Sequence, residues 1–380
     1  MSIQRLSEAK DFPACKKYTY LNAASVALMY RGAADATQAW QQDLADNGTV
    51  NFSERPEREV FNSLRAAGAE LFGAQPADIA GGSSTTELLS SVAWAMVPKK
   101  DQVIVGTQAA FPTTLYPWTR VARHVGCEVR LAKKDERSRI DVDELLSLID
   151  DQTAIVSLSH VEFKTGQTYD LRRITEKAHR HGARVVIDAT QSAGQVPIDV
   201  QDSKVDVLVS GGYKWLCGPF GAALMYVAPA LQEELDPGIV GWRSHENIWN
   251  LDTNRLVYHD SARRFEAGTV AYGCIVGLAK AIEHLNSIGI DKILEHNMAL
   301  NAILEEELAK RGAVTLTPDA GRSSTLSMYF PGKDSEKLAQ KLEDEMVFVS
   351  FRDSIRVSPH LYNDENDISR MIEVMDTVLK

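Results

Sequence analysis

Residues 183–221 read ARVVIDATQSAGQVPIDVQDSKVDVLVSGGYKWLCGPFG, and this stretch decides the fold. It holds two β-branched apolar runs, ARVVIDA and VDVLVSG, each closing on a polar or glycine-rich segment. Apolar residues at consecutive positions predict strands covered on both faces, the kind found in parallel sheets. Working outward, QVIVG, CEVRLA and TAIVSLSH come before the pair and AALMYVA after it, between about Gln102 and Val227. Helical patterns such as DVDELLSLID and LRRITEKAHRHG lie between some of these runs. Strands alternating with helices predict crossover units, so the central region is α/β with a largely parallel sheet.

Beyond about Phe265 the texture changes. LAKAIEHLNSIG and LEHNMALNAILEEELAKRG have helical spacing, short candidate strands follow near TLSMYF and MVFVSF, and a last helix lies near NDISRMIEVMDTVL. This predicts a smaller α+β unit. The expected division is a large unit over 18–260 and a small one over 261–380, with residues 1–17 packed on the latter; 380 residues suit two domains. The charged run AKKDERSR at Ala132 to Arg139 reads as a solvated turn.

Forty-one Lys and Arg against 52 Asp and Glu leave a net charge of −11, which argues against a nonspecific nucleic-acid binder. With 44% apolar and 24% charged residues the composition is that of an ordinary globular chain, not a disordered one. Cys15, Cys127, Cys217 and Cys274 lack the spacing of a zinc site or disulfide framework, and a reducing cytoplasm is the expected location. MSIQRLSEAKDF has no apolar run behind its charges and no stretch nears the roughly 20 apolar residues of a membrane span. Neither export nor membrane insertion is expected.

Asp188 stands where ARVVIDA ends, and ligands of open α/β sheets gather at the carboxyl ends of strands. Lys214 follows the next run, 214 − 188 = 26 residues on, so both groups should leave neighbouring strand ends on one rim. A lysine amine and an acid so placed suit pyridoxal phosphate: the amine bonds the aldehyde, and the acid keeps the ring nitrogen protonated. Taken singly, Lys214 is as well read as a surface lysine and Asp188 as a helix cap. Together, with glycines that let backbone approach a ligand, they favour the chemistry.

A phosphate seat is offered by GGSSTTELLSS at Gly81 to Ser91: two glycines for a tight turn, the hydroxyls of Ser84, Thr85 and Thr86, and the free amides of a helix start. Ser84 with Glu87 also matches a capping box, a purely structural role. An aromatic wall for a flat ring is available from Phe111 in AAFPTTLYPW, or from Tyr116 or Trp118. His179 and His181 in AHRHG suit a helix terminus better than a metal site, and no metal is expected.

With these motifs in order from YLNAAS at Tyr20 to SPHLYNDENDI, the chain resembles the class V aminotransferase family of fold type I pyridoxal phosphate enzymes, which includes cysteine desulfurases, selenocysteine lyases, kynureninases and isopenicillin N epimerase-like proteins. The resemblance implies a large domain with a mostly parallel seven-stranded sheet and a homodimer with shared sites. It makes Lys214 the Schiff-base lysine, Asp188 the pyridinium partner and Gln191 the partner of the cofactor's phenolic oxygen. Thr85 and Thr86 would hold the phosphate. Phe111 would stack on the ring and Tyr213 contact the phosphate, as in kynureninase. Trp242 in GWRSH and Thr269 in RFEAGT resemble positions that complete the phosphate site from the partner subunit. Arg356 in IRVSPHLYN matches the arginine that grips the substrate carboxylate, and Asn22 of YLNAAS is carried over with it as substrate-binding.

Two departures matter. Glu162 and Phe163 of HVEFKTG stand where many relatives have an Asn-containing pair. Desulfurases of the family use a cysteine ahead of the carboxylate-binding arginine, and no cysteine follows Cys274. Cys217, three residues after Lys214, reads as a packing cysteine. The expected activity is therefore cleavage of an L-amino-acid side chain, at a C–S, C–Se or Cβ–Cγ bond, without a nucleophilic cysteine. Transamination to a keto acid is the second expectation and epimerisation the third.

Overall fold

A computed structural model describes residues 2–380. Seven strands form the main sheet: β1 (Ile79–Gly82), β2 (Val103–Thr107), β3 (Glu128–Ala132), β4 (Thr153–Ser159), β5 (Arg184–Asp188), β6 (Val207–Gly211) and β7 (Ala223–Val227). Their order is β1-β7-β6-β5-β4-β2-β3. Only β7 is reversed, pairing antiparallel with β1 and β6, while all other neighbours are parallel. Six strands therefore present their carboxyl ends to one rim. The sheet has the expected fold class, and every run named from the sequence is a strand in it.

Consecutive apolar residues are explained by two cores, one on each face. In β5, Val185 and Ile187 enter one core and Val186 the other; in β2, Val103 and Val105 oppose Ile104 in the same way. The helix Leu171–Arg180 shows how the covering layers form. Asp170 caps it, accepting from the Arg173 amide at 3.1 Å, and Leu171, Ile174 and Ala178 are buried along one face.

β1 is the strand not read from the sequence, and with it the tight turn expected at Gly81 and Gly82 is corrected. Both glycines belong to β1; a Cβ at Gly81 would collide with the Phe61 ring, and one at Gly82 would come within 2.7 Å of Leu88. They are needed for close packing under two helices rather than for a turn.

The C-terminal elements build a separate antiparallel sheet from β8 (Val314–Thr315), β9 (Leu326–Tyr329), β10 (Ser350–Phe351) and β11 (Ile355–Val357), ordered β10-β11-β9-β8. Leu300, Leu304, Leu308, Met328, Val357 and Met371 form its core, which Leu21 also joins. The helix Tyr272–Ile288 instead buries Ile275, Leu278, Ile282 and Leu285 in a core of the large sheet. MVFVSF splits in two: Val347–Phe348 pairs in parallel with Thr19–Tyr20, and Ser350–Phe351 becomes β10. Among the described residues no helix is long and apolar enough to cross a membrane.

Candidate active site

Five parallel strand ends converge on one cleft of about 480 Å³. Ser84, Thr85 and Thr86 come from the end of β1, Phe111 and Thr113 from β2, and Ser159 and Val161 from β4. Asp188, Thr190 and Gln191 come from β5, Tyr213 and Lys214 from β6. As β5 and β6 are parallel neighbours, Asp188 and Lys214 share one rim as expected from their spacing.

Lys214 sits in a loop closed by two hydrogen bonds, Cys217 N–H to the Lys214 carbonyl and Gly218 N–H to the Gly212 carbonyl, both 2.8 Å. Its side chain is buried, and the amine lies 5.4 Å from the centre of the Phe111 ring. Among the described residues no carboxylate lies within ion-pair distance of it. Burial disfavours the ammonium most strongly, Arg356 and Arg352 add to this, and Asp188 opposes it, so the pKa falls to about 8. Of the glycines beside it, Gly212 packs against Leu278, whereas Gly211 faces Thr85 and Tyr213, both of which line the cleft. A Cβ at Gly212 would come within 2.8 Å of Leu278, and one at Gly211 within 3.0 Å of Thr85 Oγ1.

Asp188 is buried and accepts from Thr114 Oγ1 at 2.9 Å and from the Thr190 amide at 3.0 Å. Those two bonds occupy only part of what a carboxylate can accept, leaving room for a ring N–H. Gln191 donates from Nε2 to the Ala24 carbonyl at 2.9 Å and accepts at Oε1 from Trp215 Nε1 at 2.9 Å. One N–H of the amide is left for the cleft. Thr85 begins the helix Thr85–Ala95, whose cap Ser84 accepts from Glu87 N at 3.1 Å. The expected capping box is half made, because Glu87 reaches back to Ser83 N at 2.9 Å rather than to Ser84. The hydroxyls are paired, Thr85 with Thr190 at 2.9 Å and Thr86 with Thr113 at 3.1 Å. Thr113 and Thr190 were not among the expected residues; Thr190 lies two positions past the end of β5, and Thr113 in the first turn of the helix Pro112–Val125.

Of the three candidate aromatic walls only Phe111 lines the cleft. Trp118 is fully buried in a core and Tyr116 faces solvent. Phe163 meets Phe111 edge-on at 5.4 Å between ring centres, and Tyr213 stacks on Phe220 at 4.6 Å. Arg356 is buried, not on the surface, and donates to Ser350 Oγ (3.0 Å), the Phe163 carbonyl (2.6 Å) and Ser25 Oγ (2.7 Å). Burial and the charge of Arg352 lower its pKa to about 9, which leaves it cationic at neutral pH. Asn22 bridges to Ser358 on the same side, and its buried Oδ1 has no partner. Trp242 and Thr269 do not line this cleft; Trp242 packs on Trp249, and Thr269 borders a separate groove with Trp40 and Tyr272.

The Aminotransferase class-V family model matches residues 19–371. The chain belongs to this family. Among curated relatives of the class-V chain, an uncharacterized aminotransferase YcbU of Bacillus subtilis is 27% identical over 95% of each chain. A probable cysteine desulfurase of Streptomyces coelicolor is 30% identical over 77% of this chain and 73% of its own. Among solved structures, the Escherichia coli cysteine desulfurase CsdA is 25% identical with a TM-score of 0.87, covering 97% of both chains. The cystine C-S lyase C-DES, in complex with cysteine persulfide, is 25% identical with a TM-score of 0.87 over 96% of this chain and 99% of its own.

The class-V chain is an enzyme, and its cofactor is pyridoxal phosphate. The cleft fits that group: among the described residues it offers an amine free of ion pairs, a carboxylate with spare acceptor capacity, an amide N–H without a partner, and a hydroxyl-rich helix start for a phosphate. No group of three or more His, Cys, Asp or Glu suited to a metal is found among the described residues; His179 pairs with Asp206 at 2.8 Å and His181 with Asp151 at 2.6 Å.

Proposed function

We propose that this class-V enzyme is a lyase that cleaves the side chain of an L-amino acid at a C–S or C–Se bond without a nucleophilic cysteine. The observation that carries this reading is that no thiol reaches the cleft. Cys15 and Cys217 are buried, and burial raises the pKa of both thiols. Cys127 and Cys274 lie elsewhere, and the β10–β11 hairpin that leads to Arg356 contains no cysteine. The relatives named desulfurase and C–S lyase support the chemistry by likeness.

Bound pyridoxal phosphate supplies an aldehyde for Lys214 and an electron-poor ring that weakens bonds at the substrate α-carbon. The chain's own residues do the rest. Lys214 holds the cofactor and then moves a proton at the α-carbon; lowering its pKa to about 8 brings the neutral, proton-accepting amine closer to hand at neutral pH than in an ordinary lysine. Asp188 holds the positive charge of the ring nitrogen. Arg356 binds the α-carboxylate, and Phe111, braced edge-on by Phe163, offers its ring to the flat cofactor.

A test is single-turnover analysis with cysteine, cystine and selenocysteine. Release of sulfur or selenium with alanine or pyruvate supports the lyase, whereas stoichiometric keto acid with no chalcogen released supports transamination, favoured by the full-length likeness to YcbU. Exchange of the α-proton without net product indicates epimerisation. We also infer a homodimer in which Trp242 and Thr269 serve the partner's phosphate site, since neither lines its own cleft. Sedimentation should give twice the chain mass, and Thr269→Ala should weaken cofactor retention several-fold, as for one lost hydrogen bond, about 1 kcal/mol.

A further inference from the structure

The hairpin that carries Arg356 holds a second arginine to which no role is yet assigned. β10 and β11 pair Ser350 with Arg356 and Phe351 with Ile355, and Arg352 N–H donates to the Ser354 carbonyl at 2.9 Å across the tip. Because side chains alternate along strands, Ser350, Arg352, Ser354 and Arg356 lie on one face. On this face Arg356 reaches Ser25 and the Phe163 carbonyl, and the Phe163 ring in turn meets Phe111, which lines the cleft.

Arg352 is exposed, and its one side-chain hydrogen bond goes to the Phe351 carbonyl at 2.6 Å. Among the described residues no carboxylate pairs with it, because the neighbouring Asp353 is taken by Lys164 at 2.9 Å. That ion pair also ties the hairpin tip to the segment carrying Phe163. The charge of Arg352 is felt at both Lys214 and Arg356, which places it within electrostatic reach of the reacting centre. Lys214 lines the cleft, and the charges of Arg356 and Arg352 both act on it while Asp188 opposes them; the α-carboxylate of an amino acid answers only one of these two arginines, Arg356.

We propose that Arg352 determines specificity by binding a second anionic group at the far end of the substrate side chain, so that the preferred substrates are amino acids ending in a further carboxylate or similar anion. This deepens the lyase reading and rests on it for the nature of the substrate, yet it concerns binding and is measured without turnover. The probes are glutarate and butyrate, inert acids with two carboxylates and one, titrated calorimetrically into the cofactor-loaded enzyme.

Glutarate should bind about fivefold more tightly than butyrate, the upper end for an ion pair open to solvent. Arg352→Gln should abolish that ratio while leaving butyrate binding unchanged, and Arg352→Lys should keep part of it in a salt-sensitive form. Equal binding of the two acids by the unaltered enzyme, or an unchanged ratio in Arg352→Gln, overturns the proposal. If the ratio behaves as expected but no amino acid in the panel is cleaved, the anion site stands and the lyase reading falls.

Discussion

Asp188, at the end of β5, accepts hydrogen bonds from Thr114 and the Thr190 amide, and Gln191 beside it is held at both ends of its amide. Arg356, on β11, is equally buried yet meets only two serine hydroxyls and a carbonyl, none of which carries charge. The large-sheet rim is thus organised by its own hydrogen bonds before any ligand arrives, while the small-sheet hairpin holds cations that the chain does not neutralise. Because an uncompensated buried charge costs free energy, such a group persists where a ligand supplies its counter-charge. In the proposed reading the rim serves the cofactor and the hairpin serves the substrate.

The largest effect should come from the rim. Lys214→Ala removes both the anchor and the proton carrier, and turnover should fall about 10³-fold, with the cofactor's absorbance band near about 420 nm lost. On the hairpin, Arg356→Gln should raise KM for the amino acid by roughly 10- to 100-fold, the worth of a charge-assisted hydrogen bond, and change kcat less. If kcat instead collapses while KM holds, the division of labour between the two regions is wrong.

Glu162 sharpens the comparison as an exception on the rim. Its carboxyl is buried, with Oε1 accepting from Tyr169 at 2.7 Å and Thr107 at 2.9 Å and Oε2 unpartnered; burial raises its pKa to about 7. The folded chain therefore holds a proton that the unfolded chain has lost above about pH 4.5. This stabilising contribution is complete below that value and is lost as pH rises to about 7, by roughly 3 kcal/mol at most. Denaturant titrations across this range should show the decline in the parent, and a flatter profile in Glu162→Gln. Smaller still is the coupling between regions. Capture of pyridoxal phosphate by the apoenzyme should speed up as pH passes about 8, where the Lys214 amine becomes neutral. Arg352→Gln should move that profile to higher pH, because the arginine's charge lowers the lysine pKa.

The rim was the more legible region, and the reason is physical. A parallel sheet buried on both faces needs consecutive β-branched residues, so its strands are conspicuous, and their carboxyl ends locate Asp188 and Lys214 without further information. β1 was hidden because IAGG is short and half glycine, its composition set by close contact with Phe61 and Leu88. Thr113 and Thr190 escaped notice because hydroxyl pairs formed between segments far apart in the chain leave no periodic trace. Around Arg356, resemblance indicated a carboxylate grip, but of its partners only Ser350 is near in sequence, while Phe163 and Ser25 come from distant parts of the chain. The same is true of Arg352, whose alignment with Arg356 depends on a hairpin register that MVFVSFRDSIRV does not announce.

All of this depends on the amine of Lys214 being the point at which the cofactor is held. Borohydride reduction of the cofactor-loaded enzyme, followed by digestion and peptide mass mapping, tests it directly. The pyridoxyl mass should appear on the peptide containing Lys214 and be absent from Lys214→Ala; a label on another lysine, or none in a folded and loaded protein, would contradict the account.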